Sequence, residues 1–176
     1  MRHILNLCLA ALLAVPAFAQ ETPVPADLSI INVRTASPGI LTGGSPSAED
    51  LKRLKEAGYS AVINLEGLEE SSLDEAAIAD GLGMHYVALP ISRADITREN
   101  AEKLHAAIQL SGTPVFVHCA SGNRAGALMA LRAYFVLDMS PAAAMEEGRK
   151  AGMTGLTATV SEVIAGAEEA KAATPQ

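Results

Sequence analysis

The stretch that most limits what this chain can fold into covers residues 114–126, read as Pro-Val-Phe-Val-His-Cys-Ala-Ser-Gly-Asn-Arg-Ala-Gly. Residues 115–118 have the β-branched and aromatic make-up of a buried strand, with a proline set just before it. A short loop, residues 119–124, then leads into a long apolar helical run from about Ala125. A strand that passes through a glycine-bearing loop into a helix gathers backbone N–H groups in one small volume. The helix dipole adds partial positive charge to that volume. Arg124 can close this cup with a planar, two-toothed grip on an oxyanion. The same field favours an ionised thiol, so Cys119 reads as a nucleophile facing an anion, against the alternative of a packed structural cysteine. Gly122 would let the backbone approach the anion closely. Ser121 and Asn123 shape the loop beside Ala120. His118 either tunes the thiol through a hydrogen bond or is a buried strand-end histidine satisfied by backbone.

The rest of the chain supplies a scaffold for such a cup. Residues 29–33 and 40–42 read as strands separated by a turn at Ser37, Pro38 and Gly39. Ser47 caps a helix that Gly58 ends, with Glu49 and Asp50 in its first turn. Residues 61–65 form a good buried strand. An acidic run follows, Glu66, Glu69 and Glu70, which reads as a solvated loop. Ser72 and Glu75 make a capping box for a short helix ending near Gly81. Residues 84–89 are the next strand. Residues 91–96 are a loop with Arg93 and Asp95, and Thr97 caps a helix with Ala101, Leu104 and Ile108 on one face. After the cup, Ser140 and Pro141 open another helix, and the last helix spans about residues 157–172. Strands that alternate with helices predict one α/β domain, a mostly parallel sheet with helices on both faces. Its functional loops belong at the carboxyl edge of that sheet.

The first residues stand apart. Met1, Arg2 and His3 are a short basic start, residues 4–15 an apolar run, and Ala17-Phe18-Ala19 a small-x-small cleavage site. That pattern predicts a secretory signal peptide over residues 1–19, an extended lead-in over 20–28, a domain over 29–172, and a periplasmic or secreted product. The apolar run is shorter than the roughly 20 residues a membrane span needs, so no stable membrane insertion is expected after cleavage. Cleavage removes Arg2 and no acid, taking the formal charge from −7 to −8. Such acidity argues against nucleic-acid partners. It also removes Cys8, which leaves Cys119 as the only thiol and no internal disulfide possible. His85 and His105 lack metal-ligand spacing, and neither a metal nor a cofactor is expected.

The loop that joins His118-Cys119 to Gly122 and Arg124 resembles the phosphate-binding loop of cysteine-dependent protein tyrosine and dual-specificity phosphatases. Upstream, residues 41–47 (Leu-Thr-Gly-Gly-Ser-Pro-Ser), a helix and the 61–65 strand are similar to the phosphatase-like domain of beta-lactamase hydrolase-like proteins. The likeness spans about residues 29–157. It implies a phosphatase-like fold and a phosphomonoester hydrolase acting through a thiophosphate on Cys119, with Arg124 clamping the phosphoryl oxygens. Asp95 is then the candidate general acid, or else a solvated acid before the Thr97 cap. Arg93 would attract phosphate or simply be exposed. The implied substrate is a phosphorylated small molecule or protein. Two departures bear on this. Four residues stand between Cys119 and Arg124 where the usual signature has five, a spacing shared both with that bacterial phosphatase-like group and with the loop of rhodanese sulfurtransferases. Ala125 replaces the usual hydroxyl residue. A Cys119 persulfide sulfurtransferase and a non-catalytic phosphate- or phospholigand-binding module are therefore the alternatives.

Overall fold

The computed structural model describes residues 22–67, 69–70 and 73–173; the predicted leader and Ser72 lie outside them. Five strands, β1 Arg34–Ser37, β2 Ile40–Gly43, β3 Ala61–Asn64, β4 His85–Ala88 and β5 Val115–His118, form one sheet in the order β1-β2-β5-β3-β4. Only β1, joined to β2 by the turn at Pro38 and Gly39, runs antiparallel. β5 is central, and its last residue His118 is in register with Gly43 of β2 and Asn64 of β3. Whatever follows β5 therefore emerges between the ends of its two parallel neighbours.

The two-residue period of β5 sorts its side chains between two cores. Val115 and Val117 join Ile40 and Ile63 under α3 Arg98–Ser111, α4 Asn123–Phe135, α5 Pro141–Lys150 and α6 Thr157–Ala173. Phe116 joins Leu41 and Val62 on the other face, with α1 Ala48–Glu56 and α2 Glu75–Gly81. The predicted α/β domain with helices on both faces is what the chain forms. Ser47 caps α1 in a full capping box with Asp50, and Thr97 and Ser140 cap α3 and α5. α4 is the inner helix: twelve of its thirteen residues are buried. It approaches α5 through glycines. A Cβ built on Gly126 would lie 2.2 Å from the Met153 nitrogen, and one on Gly148 would lie 2.6 Å from Ala130 Cβ.

Three local expectations are corrected. Residues 29–33 are not a strand, because Asn32 adopts a left-handed backbone (φ 54°) and turns the chain. Ile30 is buried instead, and the Gly44 N–H donates to the Ile31 carbonyl (2.9 Å), so this segment straps the end of β2. α2 opens at Glu75, with Asp74 as the N-cap whose side chain accepts from the Ala77 N–H. α4 opens at Asn123 rather than near Ala125, which puts Arg124 in its first turn. No helix among the described residues is long and apolar enough to cross a membrane.

Candidate active site

The loop of residues 119–122 is clamped from two sides. The Cys119 N–H donates to the Gly43 carbonyl (3.3 Å) and the Ser45 N–H to the Ala120 carbonyl (3.5 Å). Gly44 pairs with Ser121 in an antiparallel bridge. The Asn32 amide donates to the carbonyls of Ser121 (3.1 Å) and Gly152 (2.8 Å), and Asn123 Oδ1 accepts from the Thr154 N–H (2.8 Å). The glycine pair after β2 is part of this clamp, since a Cβ on Gly44 would press to 3.0 Å from the Ala120 carbonyl oxygen. Gly122 has φ 79°, and its Cβ would meet Asn32 Nδ2 at 2.9 Å and the Gly43 carbonyl carbon at 3.2 Å. Its requirement is thus a left-handed backbone and close packing against β2.

Gly122 is the N-cap of α4, and among the described residues no side chain caps that helix. The first-turn N–H groups, which have no acceptor within the helix, are left for an anion. Cys119 sits at the base of this arrangement, 1% exposed, and Ala125 behind it is fully buried.

Arg124 is buried, and its donors are divided. Nη1 donates to the carbonyls of Ile91 (2.9 Å) and Leu65 (3.3 Å) and to Glu70 Oε2 (2.9 Å), while Nη2 donates to Glu70 Oε1 (2.8 Å). Glu70 therefore occupies the outer, two-nitrogen end of the guanidinium. The Nε–H and the second Nη2 hydrogen have no oxygen acceptor among the described residues, and this edge is the one a bidentate oxyanion would take. Burial acts to lower the Arg124 pKa. Hydrogen bonding to Glu70, the charges of Cys119 and Glu70, and a hydrogen bond with Cys119 nevertheless leave it raised. In return, the Arg124 hydrogen bonds, followed by the Gly67 N–H (2.7 Å), hold the Glu70 carboxyl below the usual glutamate range.

The acidic run is a solvated loop only in part: Glu69 and Glu70 are exposed, but Glu70 also holds Arg124, and Glu66 is buried and accepts from Ser45 Oγ (2.8 Å). His118 is fully buried, stacked on Phe116 with ring centroids 5.4 Å apart. Its partner is neither the thiol nor backbone: Nε2 lies 2.8 Å from Glu75 Oε1. The signal that could have found these acids is positional. They follow the strand beside β5 at the carboxyl edge of the sheet, where a cationic cup needs counter-charge.

Asp95 lies on the exposed loop between β4 and α3, its carboxylate accepting from Ser92 Oγ (2.6 Å). That loop starts at Ile91, whose carbonyl is bound to Arg124. Arg93 on the same loop turns toward the segment after α5: a Cβ on Gly155 would lie 4.0 Å from Arg93 Nη2 and 3.5 Å from Asn123 Nδ2. His85 is exposed. His105 Nδ1 accepts from Arg132 Nε (3.2 Å), and burial, then the Arg132 charge, lowers the histidine's pKa.

Comparison with known proteins agrees with this geometry. The family model for the phosphatase-like domain of beta-lactamase hydrolase-like proteins matches residues 32–134. The beta-lactamase hydrolase-like protein of Xylella fastidiosa (strain Temecula1 / ATCC 700964) is 31% identical over 93 residues, which is 50% of this chain and 22% of that protein. The chain thus matches only about a fifth of that relative's length. The crystal structure of a DUF442 protein from Shewanella putrefaciens CN-32 is 25% identical with a TM-score of 0.60, over 78% of this chain and 94% of that one. TpbA of P. aeruginosa in complex with pTyr shares the fold, at 20% identity and a TM-score of 0.55, over 82% of this chain and 92% of that one.

Proposed function

The chain belongs to the family of the phosphatase-like domain of beta-lactamase hydrolase-like proteins, and on that footing we propose that it hydrolyses a phosphomonoester through Cys119. The observation that carries this reading is a buried thiol three residues ahead of an uncapped helix N-terminus and within hydrogen-bonding reach of an arginine locked by Glu70. Both supply fixed positive charge where a phosphoryl group gains negative charge in transfer.

In the first step the Cys119 sulfur attacks phosphorus and the bond to the ester oxygen breaks. Asp95 gives that oxygen its proton, so the alcohol leaves neutral. In the second step water attacks phosphorus and Asp95 takes its proton. The sulfur–phosphorus bond then breaks, and phosphate and the thiolate are released. Arg124 holds two phosphoryl oxygens through both steps, and the N–H groups of the loop from Ala120 to Arg124 hold the rest. Arg93 helps draw the substrate in. An aryl phosphate such as phosphotyrosine is a fitting substrate class, in line with the pTyr complex of TpbA. Residues 1–19 direct export and are then removed.

The second reading, sulfur transfer through a Cys119 persulfide, is favoured by the four-residue spacing and by the near-complete burial of the thiol, which suit a small sulfur better than a phosphoryl group. One experiment separates them. The purified protein and its Cys119→Ser variant are assayed with an aryl phosphate and with thiosulfate plus cyanide. Phosphate release that the serine variant loses supports hydrolysis. Thiocyanate release without phosphate release overturns it, and vanadate binding with neither product assigns a non-catalytic phospholigand module.

A further inference from the structure

Behind the cup, two buried atoms face each other without hydrogen-bond partners among the described residues: His118 Nδ1 and Glu66 Oε2, 3.9 Å apart. Their neighbours are otherwise satisfied. Glu66 Oε1 accepts from Ser45 Oγ (2.8 Å), Glu75 Oε2 accepts from the Asn64 amide (2.8 Å), and Glu75 Oε1 lies 2.8 Å from His118 Nε2. A carboxylate oxygen at that distance assigns the ring proton to Nε2. That leaves the Nδ1 lone pair aimed at the lone pairs of Glu66. Were Nδ1 protonated as well, 3.9 Å would still be too long for a hydrogen bond to Glu66. The three side chains are 0% (His118) and 2% (Glu66 and Glu75) exposed, so two carboxylates share one imidazole away from water. Buried charge of this kind is normally paired or metal-bound.

We propose that Glu66 and His118 ligate a divalent transition-metal ion of the zinc type, with Glu75 as the carboxylate that orients the imidazole. A metal ion about 2.0–2.2 Å from a nitrogen and an oxygen bridges atoms up to about 4.2 Å apart, so the observed gap accepts one with little movement. The Glu75–His118–metal line is the arrangement in which an outer carboxylate sets the tautomer and raises ligand basicity. Candidate ligand atoms of all three residues lie within 4.8 Å of one another. A cavity of about 330 Å³, lined by Glu66, Glu75, Asn64 and Tyr86, adjoins the two carboxylates. The charge of such an ion offsets both carboxylates. Positions 66, 75 and 118 have no sequence spacing that marks a metal site, which is why the pattern emerges only from the fold.

The test is cobalt titration of the purified protein carrying Cys119→Ser, which removes the thiolate as a competing ligand. A one-to-one isotherm with visible d–d absorption, reversed by added Zn²⁺, is expected. Glu66→Gln in that background should weaken binding at least tenfold, and Glu75→Gln about 10–100-fold. Absence of micromolar binding, or an isotherm unchanged by Glu66→Gln, overturns the proposal and leaves a bridging water as the occupant. Should either glutamine variant fail to fold, the thermal midpoint of the Cys119→Ser protein decides. It must rise with Zn²⁺ concentration relative to EDTA, and a flat midpoint refutes the site. None of these readouts depends on turnover at Cys119, so the outcome stands apart from the phosphatase reading.

Discussion

Replacing Glu70 with glutamine asks whether the arginine of the cup is held from behind by charge. The change keeps the side-chain shape but removes the carboxylate that accepts from both Arg124 terminal nitrogens at 2.8–2.9 Å. Arg124 retains the carbonyls of Leu65 and Ile91, so it loses one of three anchors. Because 42% of the Glu70 side chain is exposed, solvent screening keeps the cost near 1 kcal/mol. For a domain of this size that is about 2–4 °C in Tm. The pH dependence fixes the sign. Glu70 is held below its ordinary pKa, so its contribution is full above the unfolded-state value, near 4.3, and is lost as pH falls through the lower folded-state value. Thermal unfolding followed by circular dichroism should therefore show the full Tm gap at about pH 7, narrowing from about pH 5 toward pH 3. A gap that is absent at neutral pH, or persists unchanged in acid, refutes the reasoning.

Arg124→Lys should cut phosphate release from an aryl ester about 10²–10³-fold in kcat, since lysine cannot present a planar two-donor edge; a loss under fivefold in steady-state kinetics would contradict that geometry. Gly122→Ala must adopt a left-handed backbone and press on Asn32, costing about 1–3 kcal/mol in urea unfolding, and a neutral result would show that the loop can relax. Asp95→Asn should lower kcat about 10²-fold and flatten the limb of the pH–rate profile that Asp95 sets; an unaltered profile removes Asp95 from the mechanism. Ala125→Ser restores a hydroxyl next to the buried thiol, and turnover that does not rise severalfold in a single-turnover assay argues that no such hydrogen bond limits the reaction.

Much of this molecule could be read before its coordinates. The strand–loop–helix around Cys119, the caps at Ser47, Thr97 and Ser140, and the mostly parallel sheet all rest on local chemistry, a hydroxyl that accepts from an N–H or a β-branched run between turns. Two kinds of feature escaped. Residues 29–33 have strand composition, yet Asn32 gains more by turning and bonding two carbonyls 89 and 120 residues away. No local preference encodes that. In one dimension the acids at 66 and 70 look like a hydrophilic loop, and the one at 75 like a helix-capping residue. Only the pairing of β3 with β5 brings them to His118 and Arg124. Long-range electrostatics was the missing part, and it concentrates at the site.

The burial of α4 on nearly every side has a consequence for anyone who mutates this protein in bulk. A saturation library scored on survival or expression will paint residues 122–134 as one unbroken block of intolerance, because Leu128 is as deeply buried in the core as Arg124 is at the proposed anion site. Activity must be normalised to folded protein before the two can be told apart. Natural or laboratory variation has a freer field at Ser92, Arg93, Ala94 and Asp95, four consecutive exposed residues tethered to the cup through Ile91. For the proposed reaction, that loop is where substrate range would drift while the helix that carries the arginine stays untouched.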